Sequence, residues 1–142
     1  MNFWDASALV SVIVEQTSSF SVRTLYQQLA GEGVVVWTLT PIEFVSAVCR
    51  LTRQNDITQT QAISLISEFR GIATTFELVS QVELVKQGAE RILHLYPLKA
   101  ADALQLAAAL VGVDHKPEGH QFVSLDRTLA EAALKEGFRV LP

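Results

Sequence analysis

An acid breaks the hydrophobic run that opens this chain. Phe3 and Trp4 are strand formers, Asp5 follows them, and the apolar run resumes at Ala8-Leu9-Val10 after Ser7. In an open parallel sheet the ligand crevice lies at the carboxyl ends of the strands. If Phe3–Trp4 end the central strand, Asp5 projects into that crevice. Any other acid at a strand end would be delivered to the same place.

The pattern after Asp5 alternates helices with short apolar runs. A helix is expected over Ala8–Val14 and an amphipathic one over Phe20–Leu29, stopped by Gly31 and Gly33. Val34–Leu39 is β-branched and aromatic with no charge, the mark of a strand buried on both faces. Thr40-Pro41-Ile42-Glu43 opens the next helix, with proline in its first turn and a capping-box spacing from Thr40 to Glu43. That helix runs to about Arg53, Asn55-Asp56 breaks it, and another runs from Thr58 to about Arg70-Gly71. Thr74–Val79 is expected as a third strand, with Ser80 capping a helix to Leu95. Pro97 ends that segment. Lys99–Val111 is a helix, Gly112–His120 a long polar loop, and Gln121–Ser124 a fourth strand. Asp126 opens a helix through Lys135 that Gly137 terminates, and Phe138–Leu141 is the last strand. This order predicts an α/β fold, three-layer α/β/α around a central, mostly parallel sheet. With 142 residues and no internal repeat, low-complexity run or linker, residues 1–142 form a single domain.

Four acids fall at or near strand-to-helix transitions: Asp5, Glu43, Asp102 and Asp126. Helix N-termini favour acids for an ordinary reason, since carboxylates cap free amides and complement the helix dipole. Asp102 resists that explanation. It interrupts Ala100-Ala101-Asp102-Ala103-Leu104, part of one of the most apolar helices of the chain. A carboxylate there is costly unless paired, hydrogen-bonded or bound to a metal. Several carboxylates close together repel, unless a cation neutralises them. A hard divalent ion such as Mg²⁺ does so with few direct ligands, activates water and steadies charge on a phosphoryl group. The implied chemistry is phosphodiester hydrolysis or phosphoryl transfer. Ser7 and Ser124 could hydrogen-bond these carboxylates or a phosphate, or serve as plain turn or cap residues.

Composition limits the partners. The net charge of −4 gives no support for non-specific nucleic-acid binding. Cys49 is the one cysteine and falls in an apolar helical pattern, so it is expected in the core and no intrachain disulfide can form. The N-terminus lacks a basic segment and Ala100–Val113 is too short for a membrane span, so a cytoplasmic protein is expected. His94, His115 and His120 have no metal-ligand spacing, and the latter two are expected in solvent. Trp4 and Trp37 are expected to pack in the core. Leu104, Leu106, Leu110 and Val111 are expected in the core or at a dimer surface.

Four segments together resemble the PIN-domain family, specifically the ribonuclease toxins of type II toxin–antitoxin pairs. They are Phe3-Trp-Asp5-Ala-Ser7-Ala-Leu-Val, Thr40-Pro-Ile-Glu43-Phe, LKAADALQLAAAL from Leu98, and FVSLDRTLAEAALKEGFRVL from Phe122. The resemblance implies that Asp5, Glu43, Asp102 and Asp126 form a catalytic acidic quartet, with Asp5, Asp102 and Asp126 holding Mg²⁺ or Mn²⁺. Ser7 and Ser124 would stand beside it. The implied activity is metal-dependent endoribonuclease cleavage of RNA, silenced by a cognate antitoxin protein, in a chain that forms a homodimer. Arg50 lies two turns beyond Glu43 on roughly the same helix face, and Arg53, Lys99 and Arg127 are further candidates for a basic cleft rim.

The alternative is a catalytically silent PIN-like domain acting as a protein-binding module. A response-regulator receiver needs a paired acid after the first strand and a late lysine, and neither is evident. An aspartyl phosphatase needs a second Asp two residues after the first, where Ser7 stands.

Overall fold

The structure is a computed structural model that describes residues 1–15 and 19–142. Its centre is a five-stranded sheet of β1 (Asn2–Trp4), β2 (Val35–Trp37), β3 (Glu77–Val79), β4 (Gln121–Val123) and β5 (Arg139–Leu141). All neighbours pair in parallel, in the order β3-β2-β1-β4-β5. Phe3 stands opposite Val35 on one side and Phe122 on the other, so β1 is the middle strand.

Among the described residues, seven α-helices cover the two faces: α1 (Ala6–Ile13), α2 (Ser19–Leu29), α3 (Thr40–Arg53), α4 (Gln59–Ala73), α5 (Val82–Leu95), α6 (Ala100–Gly112) and α7 (Arg127–Glu136). Alternation along each strand sorts the core into two layers. Phe3, Val35, Trp37 and Phe122 point towards α5, α6 and α7, where they meet Ala89, Ile92, Leu106 and Leu129. Trp4, Val34, Val36 and Val123 point towards α1 to α4, where they meet Leu9, Val22, Phe44 and Phe69. Both faces are buried at the central β1 and β2, which is why Phe3–Trp4 and Val34–Trp37 read as apolar runs, whereas the edge strands β3 and β5 carry exposed Glu77 and Arg139. The three-layer α/β/α expectation holds.

From β1 the chain builds outward through β2 to β3, then returns to β4 on the other side of β1 and finishes at β5. The direction reverses between β1 and β4. That reversal opens a crevice beyond their carboxyl ends.

Several local expectations are corrected. The third strand is Glu77–Val79, not Thr74–Val79. The Thr74 and Thr75 hydroxyls donate to the carbonyls of Gly71 and Ile72, 2.8 Å each, which draws these β-branched residues into the end of α4. α1 begins at Ala6, because Asp5 caps it. The Thr40–Glu43 capping box does not form: Leu39 is the N-cap, and the buried Thr40 hydroxyl bonds to Gln105 instead. A capping box does form at the start of α4, between Thr58 and Gln61. Ser80 does not cap α5, whose N-cap is Gln81.

Cys49 is half-buried rather than enclosed. The Gly112–His120 stretch is also less open than its polarity suggests. Gly112 still belongs to α6, and Val113 and Pro117 are buried. His120 is not simply solvated, since its Nδ1 lies 2.8 Å from the amino group of Met1. Gly137 ends α7 as expected: its φ of 109° is left-handed, and a Cβ there would lie 3.1 Å from Pro117 Cγ.

Candidate functional site

Two strand ends build the floor of the crevice. β1 ends at Trp4, and Asp5 turns the chain into α1, its backbone N–H still donating to Val123 of β4 at 3.1 Å. The Asp5 carboxylate caps α1 by accepting the Ala8 N–H on Oδ1 at 3.0 Å. The same oxygen accepts the Ser7 hydroxyl at 2.7 Å, and Oδ2 accepts the Ser124 hydroxyl at 2.8 Å. β4 ends at Val123, and Ser124 in turn accepts the Asp126 N–H at 3.1 Å. Ser7 Oγ accepts the Leu125 N–H at 3.0 Å. The two serines thus lace the first strand–helix turn to the fourth, across 118 and 119 positions of sequence.

Asp126 caps α7 through the Leu129 N–H, 2.8 Å from Oδ1. The ordinary cap role and the site role coincide for Asp5 and Asp126: each carboxylate holds a helix start, and the helix start holds the carboxylate at the crevice. Glu43, in the first turn of α3, accepts from Gln105 Nε2 at 3.1 Å on Oε1. Asp102, in the first turn of α6, accepts no hydrogen bond among the described residues.

All four acids line one cleft of about 670 Å³. Ser7, Ser46 and Arg50 share its wall with the apolar side chains of Val10, Ile42 and Leu125. The four strand-end acids thus share one cleft. Arg50 is exposed at the cleft, whereas Arg53 and Arg127 do not line it, and Arg127 is paired with Glu131 at 3.1 Å. Lys99 acts at a distance, its charge favouring ionised Asp102. Among the described residues, no three His, Cys, Asp or Glu side chains are grouped closely enough to hold an ion by themselves. The acids are distributed around the cleft wall.

Their electrostatics show the cost of this arrangement. Burial pushes the Asp5 carboxyl up to about 6, against the opposing hydrogen bonds of Ser7, Ala8 and Ser124, and the Asp102 charge pushes it further. Burial pushes Glu43 up to about 7; Gln105 opposes the rise, while the charges of Asp5 and Asp102 add to it. Asp102 is raised by burial and by the charge of Asp126. Carboxylates held near neutral pKa in a shared cleft are a mark of a functional site.

The donor set is oxygen only, which suits a hard cation such as Mg²⁺ or Mn²⁺ and not a thiolate-seeking one. The free lone pairs are unevenly distributed. Asp5 Oδ1 is saturated by two donors, leaving capacity on Oδ2; both oxygens of Asp102 and one of Asp126 are open.

Sequence reasoning missed Gln105 and Thr40. Gln105 interrupts the same apolar helix as Asp102, three residues later, and the argument applied to Asp102 would have found it.

No family profile matches the chain. Among curated proteins it is similar to Ribonuclease VapC45 of Mycobacterium tuberculosis (strain CDC 1551 / Oshkosh). The two are 26% identical over 140 residues, covering 99% of this chain and 94% of the relative. Ribonuclease VapC49 of M. tuberculosis (strain ATCC 25618 / H37Rv) matches to the same extent. Among solved structures, PAE2754 from Pyrobaculum aerophilum superposes with a TM-score of 0.63 at 17% identity, covering 98% of this chain and 87% of that one. FitAcB from Neisseria gonorrhoeae superposes with a TM-score of 0.68 at 16% identity, covering 100% and 97%. Along nearly its whole length the chain is thus similar to curated VapC ribonucleases, and its three-layer α/β/α fold is shared with these solved structures.

Proposed function

We propose that this chain is a metal-dependent endoribonuclease that hydrolyses RNA phosphodiester bonds as the toxin of a toxin–antitoxin pair. The observation that carries the reading is the meeting of four carboxylates, from the ends of β1 and β4 and the first turns of α3 and α6, around one cleft at the switch point of the sheet. The ribonuclease names of its curated relatives support the substrate class.

Asp5, Asp102 and Asp126 are the residues that would hold Mg²⁺ or Mn²⁺ through their open oxygens, one or two directly and the rest through bound water. When bound, such an ion supplies an acidified water and positive charge opposite a phosphoryl oxygen. Glu43 has a different part. Gln105 holds its Oε1, and Oε2, the oxygen left free, takes a proton from the attacking water. Ser7 and Ser124 fix the Asp5 rotamer. Arg50 contacts a phosphate of the bound RNA, offsetting the acidic wall. An antitoxin protein, a second copy of the chain as homodimer partner and a cytoplasmic setting complete the reading. Among the described residues no helix is long and apolar enough to cross a membrane.

The direct test is cleavage of end-labelled RNA by the purified chain with Mg²⁺, Mn²⁺ or EDTA. Cleavage is expected with either ion, absent in EDTA, and absent in Asp102→Asn. Metal-independent cleavage, or full activity of Asp102→Asn, overturns the site. For the toxin role, expression alone should arrest growth, and co-expression of a small adjoining antitoxin gene should relieve it.

A further inference from the structure

Gln105 is 1% exposed, deep in a helix built mostly from Ala and Leu. A buried amide costs stability unless its groups are bonded, so its retention needs a reason. Both of its N–H groups are used. Nε2 donates to Thr40 Oγ1 at 3.1 Å and to Glu43 Oε1 at 3.1 Å. Thr40 and Glu43 both belong to the first turn of α3, whereas Gln105 lies one turn beyond Asp102 on α6. The amide therefore ties the element carrying one acid to the element carrying another.

We propose that Gln105 is a positioning residue for Glu43. It locks Oε1, so that Oε2 alone is presented to the cleft, and it sets the spacing between Glu43 on α3 and Asp102 on α6. Thr40 holds the same amide nitrogen through its hydroxyl. A Leu or Met in its place would fill the same space without the donor. The proposal rests on the ribonuclease reading, in which Glu43 handles a proton.

The test is RNA cleavage kinetics with Mn²⁺ for wild type, Gln105→Leu, Glu43→Gln and the double variant, measured under single-turnover conditions so that weak activity is resolved, with multiple-turnover runs for KM. Gln105→Leu should keep a cooperative melt, lower kcat about 10–100-fold and leave KM within about threefold. In the Glu43→Gln background the same change should matter less than about threefold, because its route of action is already gone. A merely structural amide would give losses that add in both backgrounds, and that result overturns the proposal. So does near-wild-type cleavage by a folded Gln105→Leu. If Gln105→Leu fails to fold, Gln105→Met keeps the length without the donor and is judged by the same outcomes. Asp102→Asn run alongside separates the two ideas. Its inactivity with an indifferent Gln105→Leu overturns the positioning role alone, and its full activity takes the ribonuclease reading down with it.

Discussion

Replacing Asp5 with asparagine should stabilise this protein when metal is withheld, and the size of the gain can be worked from the site. Asp5 is 3% exposed. Its pKa rises from 3.8 to about 6, chiefly through burial. That rise is equivalent to about 3 kcal/mol of penalty on the folded, ionised form. The folded pKa lies above the unfolded one. The stability associated with a protonated Asp5 is thus complete below about pH 4, and is lost as pH climbs through 6. Asparagine keeps the shape and an acceptor for the Ala8 and Ser7 donors, but must meet Ser124 as a donor. About 1 kcal/mol is charged to those weaker hydrogen bonds. The net expectation at pH 8 in EDTA is about 2 kcal/mol in favour of Asp5→Asn, or about 4–8 °C in melting temperature for a domain of this size. Urea titrations at pH 8 and pH 5 measure it, and the gain should shrink at the lower pH. Glu43, with its pKa raised to about 7, makes wild-type stability fall in the same direction over a higher pH range, less steeply because it is partly exposed. An Asp5→Asn melting temperature at or below wild type at pH 8, or a difference that does not change with pH, would show that ionised Asp5 carries no such cost.

Three further outcomes are expected. Mn²⁺ should raise the melting temperature of wild type in proportion to its binding, and should raise that of Asp102→Asn much less; calorimetric titration of both gives the affinities. Arg50→Ala should raise KM severalfold, lower the slope of log KM against log salt by about one, and leave both kcat and the melting temperature near wild type. Phe44 is fully buried and stacked on Phe69 with centroids 4.0 Å apart, so Phe44→Ala should cost about 3–5 kcal/mol in urea. A loss under about 1 kcal/mol would mean that the α3–α4 layer repacks freely.

Much of the architecture was legible because the signals are local. The uncharged Val34–Leu39 run argued for a covered parallel sheet, though only Val35–Trp37 form the strand and Leu39 is exposed, and Phe3–Trp4 before an acid marked a strand end. Boundaries failed where side chains had two uses. Thr74 and Thr75 carry strand propensity, yet their hydroxyls bond back to helix carbonyls. Thr40 has the spacing of a cap, but Gln105 claimed its hydroxyl.

The sequence by itself determined the chemistry available: four carboxylates at element starts, no thiol or imidazole ligand set to compete with them, and an apolar pattern that allows only a buried parallel sheet. Tertiary structure alone decided how those acids are used. Strand order put β1 beside β4, so Ser124 could reach Asp5 across 119 residues, and the meeting of the starts of α3 and α6 at the strand-end edge brought an unforeseen amide to Glu43. Hydrogen bonds between groups so distant in the chain leave no trace in local spacing. They exist only once the sheet has chosen its order.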